Sequence, residues 1–396
     1  MFGSRQKAQI ANALAGSANS FLRAMRKCVW PALLPEAPER VCIYRIGNIG
    51  DTACAIPALD VIRRAFPRAR LTMVTSPGSP GMPGARELLA NAGLVDEIIV
   101  YYPSELADLH GKLRFMGEMR ARRFDLWIEL PVVAANFPTL LRNMIAARAA
   151  GAAFGCGWRY AGLRLFKQAQ SAELEFPGEV DRLLALLREQ GFAAGAPRFP
   201  LALSSVEGDA ITRILNDAAS ASRPLAALAP GAKASPNKWP AERFAEVGRA
   251  LTARGLGVAI LGGQPDSSLC EDIADAIGTA AFNLAGRTSV RESCELLSRA
   301  ALLVCNDSGV QHLAAAVGTP CVALFSCRDF RGKWWPHGAQ HVVLRKQVDC
   351  HTCLLDTCPR DNLCINLIEV REVVEAVDQI LARSFTRQAA SIGRSR

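Results

Sequence analysis

The sequence predicts an α/β protein built from two Rossmann-like domains that face a central cleft. Short apolar runs alternate with stretches of helical periodicity from residue 41 onward. The alternation lapses over residues 195–224, a stretch rich in Gly, Pro, Ser and Ala, and restarts at Leu225. A length of 396 residues suits two domains at roughly 150 residues each. Strands alternating with helices imply parallel sheets covered on both faces, with ligands at the carboxyl ends of the strands.

The first segment, 1–35, is a basic amphipathic extension. It holds no acid before Glu36, whereas Arg5, Lys7, Arg23, Arg26 and Lys27 are basic. Ile10, Leu14, Ala18, Phe21, Leu22, Met25 and Val29 recur at helical spacing. Such a helix either lies among the headgroups of an anionic membrane or packs on its own domain. After a Pro-rich break at 31–38, strands are expected at 41–44, 71–75, 97–100 and 124–130. Helices are expected at 53–65, 85–92 and 112–123. These belong to an N-terminal domain of residues 36–205. A second domain, 206–366, carries strands at 225–229, 257–261, 281–284, 301–305 and 321–325. In residues 367–396, a helix at 367–382 is expected to pack back on the first domain, followed by a tail.

Composition narrows the function classes. Half the chain is hydrophobic, 21% is charged and the mean hydropathy is +0.13, which excludes a disordered or collagen-like chain. No window approaches the ~18 uninterrupted apolar residues of a spanning helix, and no secretory signal is evident. Thirteen cysteines, several in apolar runs such as Cys42, Cys305 and Cys321, point to a reducing cytoplasm rather than a disulfide framework. Residues 1–205 carry 25 Lys and Arg against 17 Asp and Glu, while 206–396 carry 21 against 20. The N-terminal half therefore expects an anionic partner. With aromatics at 7% and no DNA- or RNA-reading motif, an anionic lipid or phosphorylated glycan fits better than nucleic acid.

Three segments can carry chemistry. In the turn from Arg45 to Asp51 (RIGNIGD), Gly47 and Gly50 allow a tight turn after a strand, and Asp51 stands at the helix start. There it is either an N-cap or a functional carboxylate. The glycines do not follow G-x-G-x-x-G, so a dinucleotide fingerprint is a poor fit. The segment 306–320 (NDSGVQHLAAAVGTP) also opens a helix after a strand. Asp307 and Ser308 suit the cap, Gly309 allows close backbone approach, and His312 falls near the same end. Free N–H groups and the helix dipole there suit a diphosphate. The loop 229–240 (APGAKASPNKWP) follows the first strand of the second half, and its Lys238 or Lys233 can meet phosphate as a point charge.

Together these segments resemble glycosyltransferase family 9, the heptosyltransferases of bacterial lipopolysaccharide assembly. The family's Arg-x-x-x-x-Gly-Asp turn is matched by Arg45 to Asp51, and its Pro-Gly loop leading to Trp-Pro by Pro230-Gly231 to Trp239-Pro240. A Gly-Gly turn at Gly262-Gly263, a Leu-Ala-Gly segment at Leu284–Gly286 and an ungapped Asp-Ser-Gly-x-x-His signature at 307–320 follow. The likeness spans roughly residues 40–380.

The resemblance implies a GT-B fold and an inverting, metal-independent transfer with no cofactor. The implied donor is a nucleotide-diphosphate sugar, ADP-heptose foremost, and the implied acceptor is a lipid-linked or phosphorylated glycan. The implied location is cytoplasmic, peripheral on the inner face of the bacterial inner membrane. Asp51 matches the general base. Lys238, Asp307, Ser308, Gly309 and His312 match the donor-phosphate site, while Lys233, Gly263, Gln264 and Asp266 are further phosphate or nucleotide contacts. One departure stands out: many relatives have Lys-x-Trp-Pro, and here Asn237 holds the lysine's place, with Lys238 directly before Trp239.

The run Cys350, Cys353, Cys358 and Cys364 offers four thiols of a type that suits zinc or an iron–sulfur cluster. Its C-x2-C-x4-C-x5-C spacing lacks the paired knuckles of structural zinc sites, and reduced loop thiols are the competing reading. The rival functions are a degenerate sugar-nucleotide-binding protein, a sugar-nucleotide epimerase, and a metal or iron–sulfur protein built on this cluster.

Overall fold

The computed structural model describes residues 4–31, 33–167, 174–217 and 223–393. Residues 1–3 of the N-terminal segment, 218–222 of the expected linker and 394–396 of the tail lie outside the described residues, as does the side chain of Arg5. The chain divides into two units, residues 1–201 and 202–396.

The first unit is a parallel sheet of β1 (Arg40–Tyr44), β2 (Arg70–Thr75), β3 (Glu97–Val100), β4 (Leu126–Glu129) and β5 (Phe154–Cys156), in the order β3-β2-β1-β4-β5. Central β1 pairs Val41 with Leu71 on one side and Leu126 on the other. Val41, Cys42 and Ile43 are fully buried, as a central parallel strand covered on both faces requires. Helix Ile49–Ala65 follows β1 and packs against helix Glu179–Glu189. It starts at Asn48, and Asp51 is its third residue rather than its N-cap, so the helix begins before the expected residue 53.

The N-terminal helix, Ser4–Val29, is built into this unit. Ala11 and Leu22 are buried, and Trp30 stacks on Trp158 with ring centroids 5.3 Å apart. Trp30 Nε1 donates to the Ala152 carbonyl at 2.9 Å. Asn19 exchanges two hydrogen bonds with the backbone of Tyr160, at 3.0 and 2.8 Å. Ile10 and Leu14 remain exposed, as does part of Phe21, whose ring meets Phe137 with centroids 5.7 Å apart. The helix thus packs on its own domain and still presents apolar side chains to the outside.

The second unit is a six-stranded parallel sheet of β6 (Leu225–Ala229), β7 (Gly257–Ile260), β8 (Ala281–Asn283), β9 (Ala300–Asn306), β10 (Cys321–Phe325) and β11 (Val342–Arg345). Its order is β11-β10-β9-β6-β7-β8. Both sheets therefore reverse direction of winding at one place, between β1 and β4 in the first and between β6 and β9 in the second. A crevice for ligand opens at such a switch point, outside the carboxyl ends of the strands.

Edge strands β5 and β11 have no counterpart among the expected elements. The first is three residues with a central glycine, and the second runs directly into polar loop sequence. The expected helix at 85–92 is confined to Ala85–Leu89, because Asn91 takes a positive φ of 57°. The C-terminal helix Val370–Gly393 belongs to the second unit. Val373, Ala376, Val377 and Ile380 lie in the apolar core of the second unit, with Leu302, Val304, Val322 and Leu324. Its described packing is on the second sheet.

Candidate functional site

In the first unit the chemistry gathers after β1. Gly47 N–H donates to the Ser76 carbonyl at 3.1 Å, which holds the turn against the end of β2. Gly47 has φ of +150°, and a Cβ there would sit 2.3 Å from Asp51 Cβ. Glycine is required because the turn and the Asp51 side chain occupy the same space. Asp51 Oδ2 accepts from the Asn48 N–H at 3.1 Å, completing a capping box. Asp51 Oδ1 accepts from Arg45 Nη2 at 3.3 Å. Asp51 is partly exposed, whereas Arg45 is fully buried.

Arg45 has a closer anion. Its Nη2 lies 2.9 Å from Glu179 Oε1, and Glu179 is itself fully buried and bonded to Arg182. Burial pushes the Glu179 carboxyl up, but Arg182 and then Arg45 outweigh it and hold it below its ordinary value. On Arg45, burial favours loss of the proton, and Glu179 and Asp51 more than offset it. Glu179 and Arg182 escape a reading by motif. An acid at a helix start with an Arg three residues on looks like an ordinary surface pair.

In the second unit three loops meet at the switch point. Asn306, the last residue of β9, clasps the loop after β6: its Nδ2 donates to the Pro230 carbonyl at 2.6 Å and its Oδ1 accepts from Trp239 N–H at 3.2 Å. Trp239 is buried against Phe244, which anchors the loop as its Trp-Pro end suggests. Asn237 donates to Asp307 Oδ2 at 2.9 Å and accepts from Ser326 Oγ at 2.5 Å. Gln311 Nε2 reaches Asp307 Oδ1 at 3.1 Å. Burial, then the nearby charge of Asp329, pushes the Asp307 carboxyl up to about 7.

Ser308 is the N-cap of helix Gly309–Ala316, yet its side chain makes no capping bond. Its Oγ is buried without a hydrogen-bond partner among the described residues. A buried hydroxyl left unpaired is unfavourable by about 1–3 kcal/mol, so its position beside free helix N–H groups suits an oxyanion ligand. His312 is buried in the same helix and meets the Trp334 ring with centroids 6.2 Å apart. The expected contacts Gln264 and Asp266 lie against the glycines of neighbouring loops. A Cβ on Gly231 would lie 2.6 Å from Asp266 Oδ2, and one on Gly286 would lie 2.1 Å from Gln264 Oε1. Asp266 additionally accepts from Gly263 N–H at 3.0 Å.

Lys233 and Lys238 are both exposed. The buried lysine of this region is Lys333, paired with Asp329 at 3.1 Å and set 4.9 Å from the Trp334 ring centroid. Sequence reading missed it, although Lys333-Trp334-Trp335-Pro336 echoes Lys238-Trp239-Pro240.

The four C-terminal cysteines do not assemble. Cys350, Cys353 and Cys358 are partly exposed, while buried Cys364 accepts from Cys327 N–H at 3.3 Å. Among the described residues no three His, Cys, Asp or Glu side chains gather in a metal-holding group.

The sequence profile of glycosyltransferase family 9 (heptosyltransferase) matches residues 113–364. Lipopolysaccharide heptosyltransferase 2 of Escherichia coli is 29% identical over 298 residues, covering 71% of this chain and 82% of the relative. Among solved structures, a family 9 glycosyl transferase from Veillonella parvula superposes with a TM-score of 0.68 at 19% identity, covering 89% of this chain and 99% of that one. The E. coli ADP-heptose lipopolysaccharide heptosyltransferase II superposes with a TM-score of 0.64 at 22% identity, covering 87% and 99%. These likenesses identify the two units as the GT-B fold. With the family profile matching well over half its length, the chain belongs to glycosyltransferase family 9.

Proposed function

We propose that this protein is an inverting glycosyltransferase that moves a heptose from ADP-heptose to a lipopolysaccharide-core or related lipid-linked acceptor. In this reading the acceptor hydroxyl oxygen bonds to the anomeric carbon from the face opposite the diphosphate. Asp51 takes the hydroxyl proton. The bond between the anomeric carbon and the diphosphate oxygen breaks, and its electron pair departs with ADP. The negative charge that develops there is met by the Ser308 hydroxyl, the first N–H groups of helix Gly309–Ala316, His312, and Lys238 or Lys233. Preorganised donors of this kind stabilise a leaving oxyanion without a metal ion.

The observation that carries the reading is the buried, unpartnered Ser308 Oγ at a helix N-terminus on the second sheet's switch point. The donor and acceptor follow from the relatives, which are named as ADP-heptose and lipopolysaccharide enzymes. A location on the anionic inner face of the inner membrane is supported by the basic first unit and by Ile10, Leu14 and Phe21 on the N-terminal helix. No helix among the described residues is long and apolar enough to cross a membrane, so the association would be peripheral.

The test is transfer by purified protein, in EDTA, from ADP-heptose to lipopolysaccharide core lacking its heptoses. The expected result is ADP release matched by an acceptor heavier by one heptose residue. Transfer only from another nucleotide sugar overturns the donor assignment. Dependence on added divalent metal overturns the metal-free mechanism.

A further inference from the structure

Asp51 is one corner of a buried charge network whose other members have no role in the transfer chemistry as stated so far. Arg45 Nη1 donates to the carbonyls of Leu130 at 3.4 Å and Pro131 at 3.1 Å, just past the end of β4. Its Nη2 donates to Glu179 Oε1 at 2.9 Å, to Asp51 Oδ1 at 3.3 Å and to the Asp51 carbonyl at 3.4 Å. Glu179 in turn takes Arg182 Nε on Oε2 and Arg182 Nη2 on Oε1, both at 2.7 Å. Arg182 Nη2 also reaches the Pro131 carbonyl at 2.5 Å. The Arg45 guanidinium is therefore pinned by two backbone carbonyls and a doubly bonded carboxylate. It cannot swing to follow Asp51; Asp51 is held to it.

Charged and titratable groups reach Asp51 from its own turn and helix and from the helix packed on them. Arg45 comes from the turn itself and Cys54 from one turn along the helix. Glu179 and Arg182 come from the packed helix Glu179–Glu189. Among Arg45, Arg182, Asp51 and Glu179, two guanidinium groups balance two carboxylates. A guanidinium paired with the base alone would keep it ionised but make it a poor proton acceptor. Here the closer carboxylate is Glu179, and the pull on Asp51 is divided.

We infer that Arg45 and Glu179 are positioning residues for Asp51: Arg45 fixes one carboxylate oxygen and keeps the group ionised, and Glu179 draws off part of that charge so that Asp51 stays basic enough to accept a proton. This rests on the assignment of Asp51 as the base. The arrangement has a signed consequence that a purely structural ion pair lacks. Weakening Arg45 must raise the Asp51 pKa, and neutralising Glu179 must lower it. An opposite charge within ~4–6 Å moves a carboxyl by about 1–3 units.

The test follows the Asp51 carboxyl directly, by 13C titration of Asp-labelled full-length protein, with the resonance assigned by its disappearance in Asp51→Asn. Glu179→Gln is expected to lower the midpoint. Arg45→Met is expected to raise it by about one unit or more, with Arg45→Lys between that variant and the parent. The acid limb of kcat/KM for ADP-heptose should move in the same directions. If Arg45→Met does not fold, Arg45→Lys and the near-isosteric Glu179→Gln still give the two opposite signs. Midpoints unmoved, or moved the same way in both, overturn the inference. Full activity of Asp51→Asn overturns instead the assignment of the base, which the carboxyl titration does not depend on.

Discussion

Asn237 donates from Nδ2 to the half-buried carboxylate of Asp307 at 2.9 Å. That bond ties the loop after β6 to the residue just past β9, and Asn237 stands where many family members carry a lysine. A neutral amide stands in that place, and burial with the like charge of Asp329 outweighs the pull of Arg328 and Lys333 to hold the Asp307 carboxyl near 7.

The sign of the resulting pH dependence is fixed. An unfolded Asp titrates near ~3.9, so between about pH 4 and pH 7 the folded chain binds more protons at this position than the unfolded chain. Asp307 therefore lowers stability progressively as pH rises through that window, and its effect is constant above it. Asp307→Asn should flatten the fall in melting temperature between pH 4 and 7 relative to the parent. Parallel profiles would mean that Asp307 is ionised throughout.

Ser308→Ala separates a ligand role from a structural one. Deleting a buried hydroxyl that bonds nothing should leave the melting temperature of the free protein unchanged or slightly higher. Loss of a hydrogen bond to a charged ligand is worth about 1.5–3 kcal/mol, so ADP should bind roughly 10- to 100-fold more weakly by calorimetry. Unchanged ADP affinity would place the phosphates elsewhere.

Gly47→Ala should injure turnover more than donor binding. The added methyl would lie 2.3 Å from Asp51 Cβ at a φ of +150°, so the carboxylate must move. A displacement near 1 Å can reduce rate by about 100-fold. The kinetic readout is a fall in kcat with ADP affinity preserved; a parent-like kcat would show that Asp51 position is not critical.

The N-terminal helix gives a prediction that deletion cannot, since Leu22 and Trp30 belong to the first unit's core. Replacing Ile10 and Leu14 by Ser should leave the melting temperature within a degree or two. It should reduce co-sedimentation with vesicles containing anionic lipid, and high salt should weaken the parent's binding in the same assay. Leu22→Ala, in contrast, should destabilise by about 2–5 kcal/mol. Unchanged sedimentation of the Ile10→Ser, Leu14→Ser protein would remove the helix face as a membrane contact.

Much of this was legible in the residues because central parallel strands are continuous apolar runs. Runs such as 225–229 and 321–325 can hardly be anything else once turns bound them. The edge strands β5 and β11 lack that signature: β5 is three residues with a central glycine, and β11 is only half-buried. In the site, segments whose chemistry is local were visible: the Gly47–Asp51 turn and the cap at Ser308 declare themselves by spacing. What escaped was held by contacts distant in sequence. Glu179 meets Arg45 across 134 positions, and Ser326 meets Asn237 across 89. No local pattern announces such pairs. The exposed Lys238 and buried Lys333 show the same limit, since burial of a lysine depends on how loops converge rather than on its neighbours in the chain.

The most direct test of the account is Asp51→Asn, measured for both ADP-heptose binding and transfer. The substitution keeps shape while removing the carboxylate's charge and its capacity to take a proton. Donor affinity should stay within about threefold, while kcat should fall by at least ~100-fold, the usual contribution of a general base. A variant that transfers heptose at the parent rate would contradict the account.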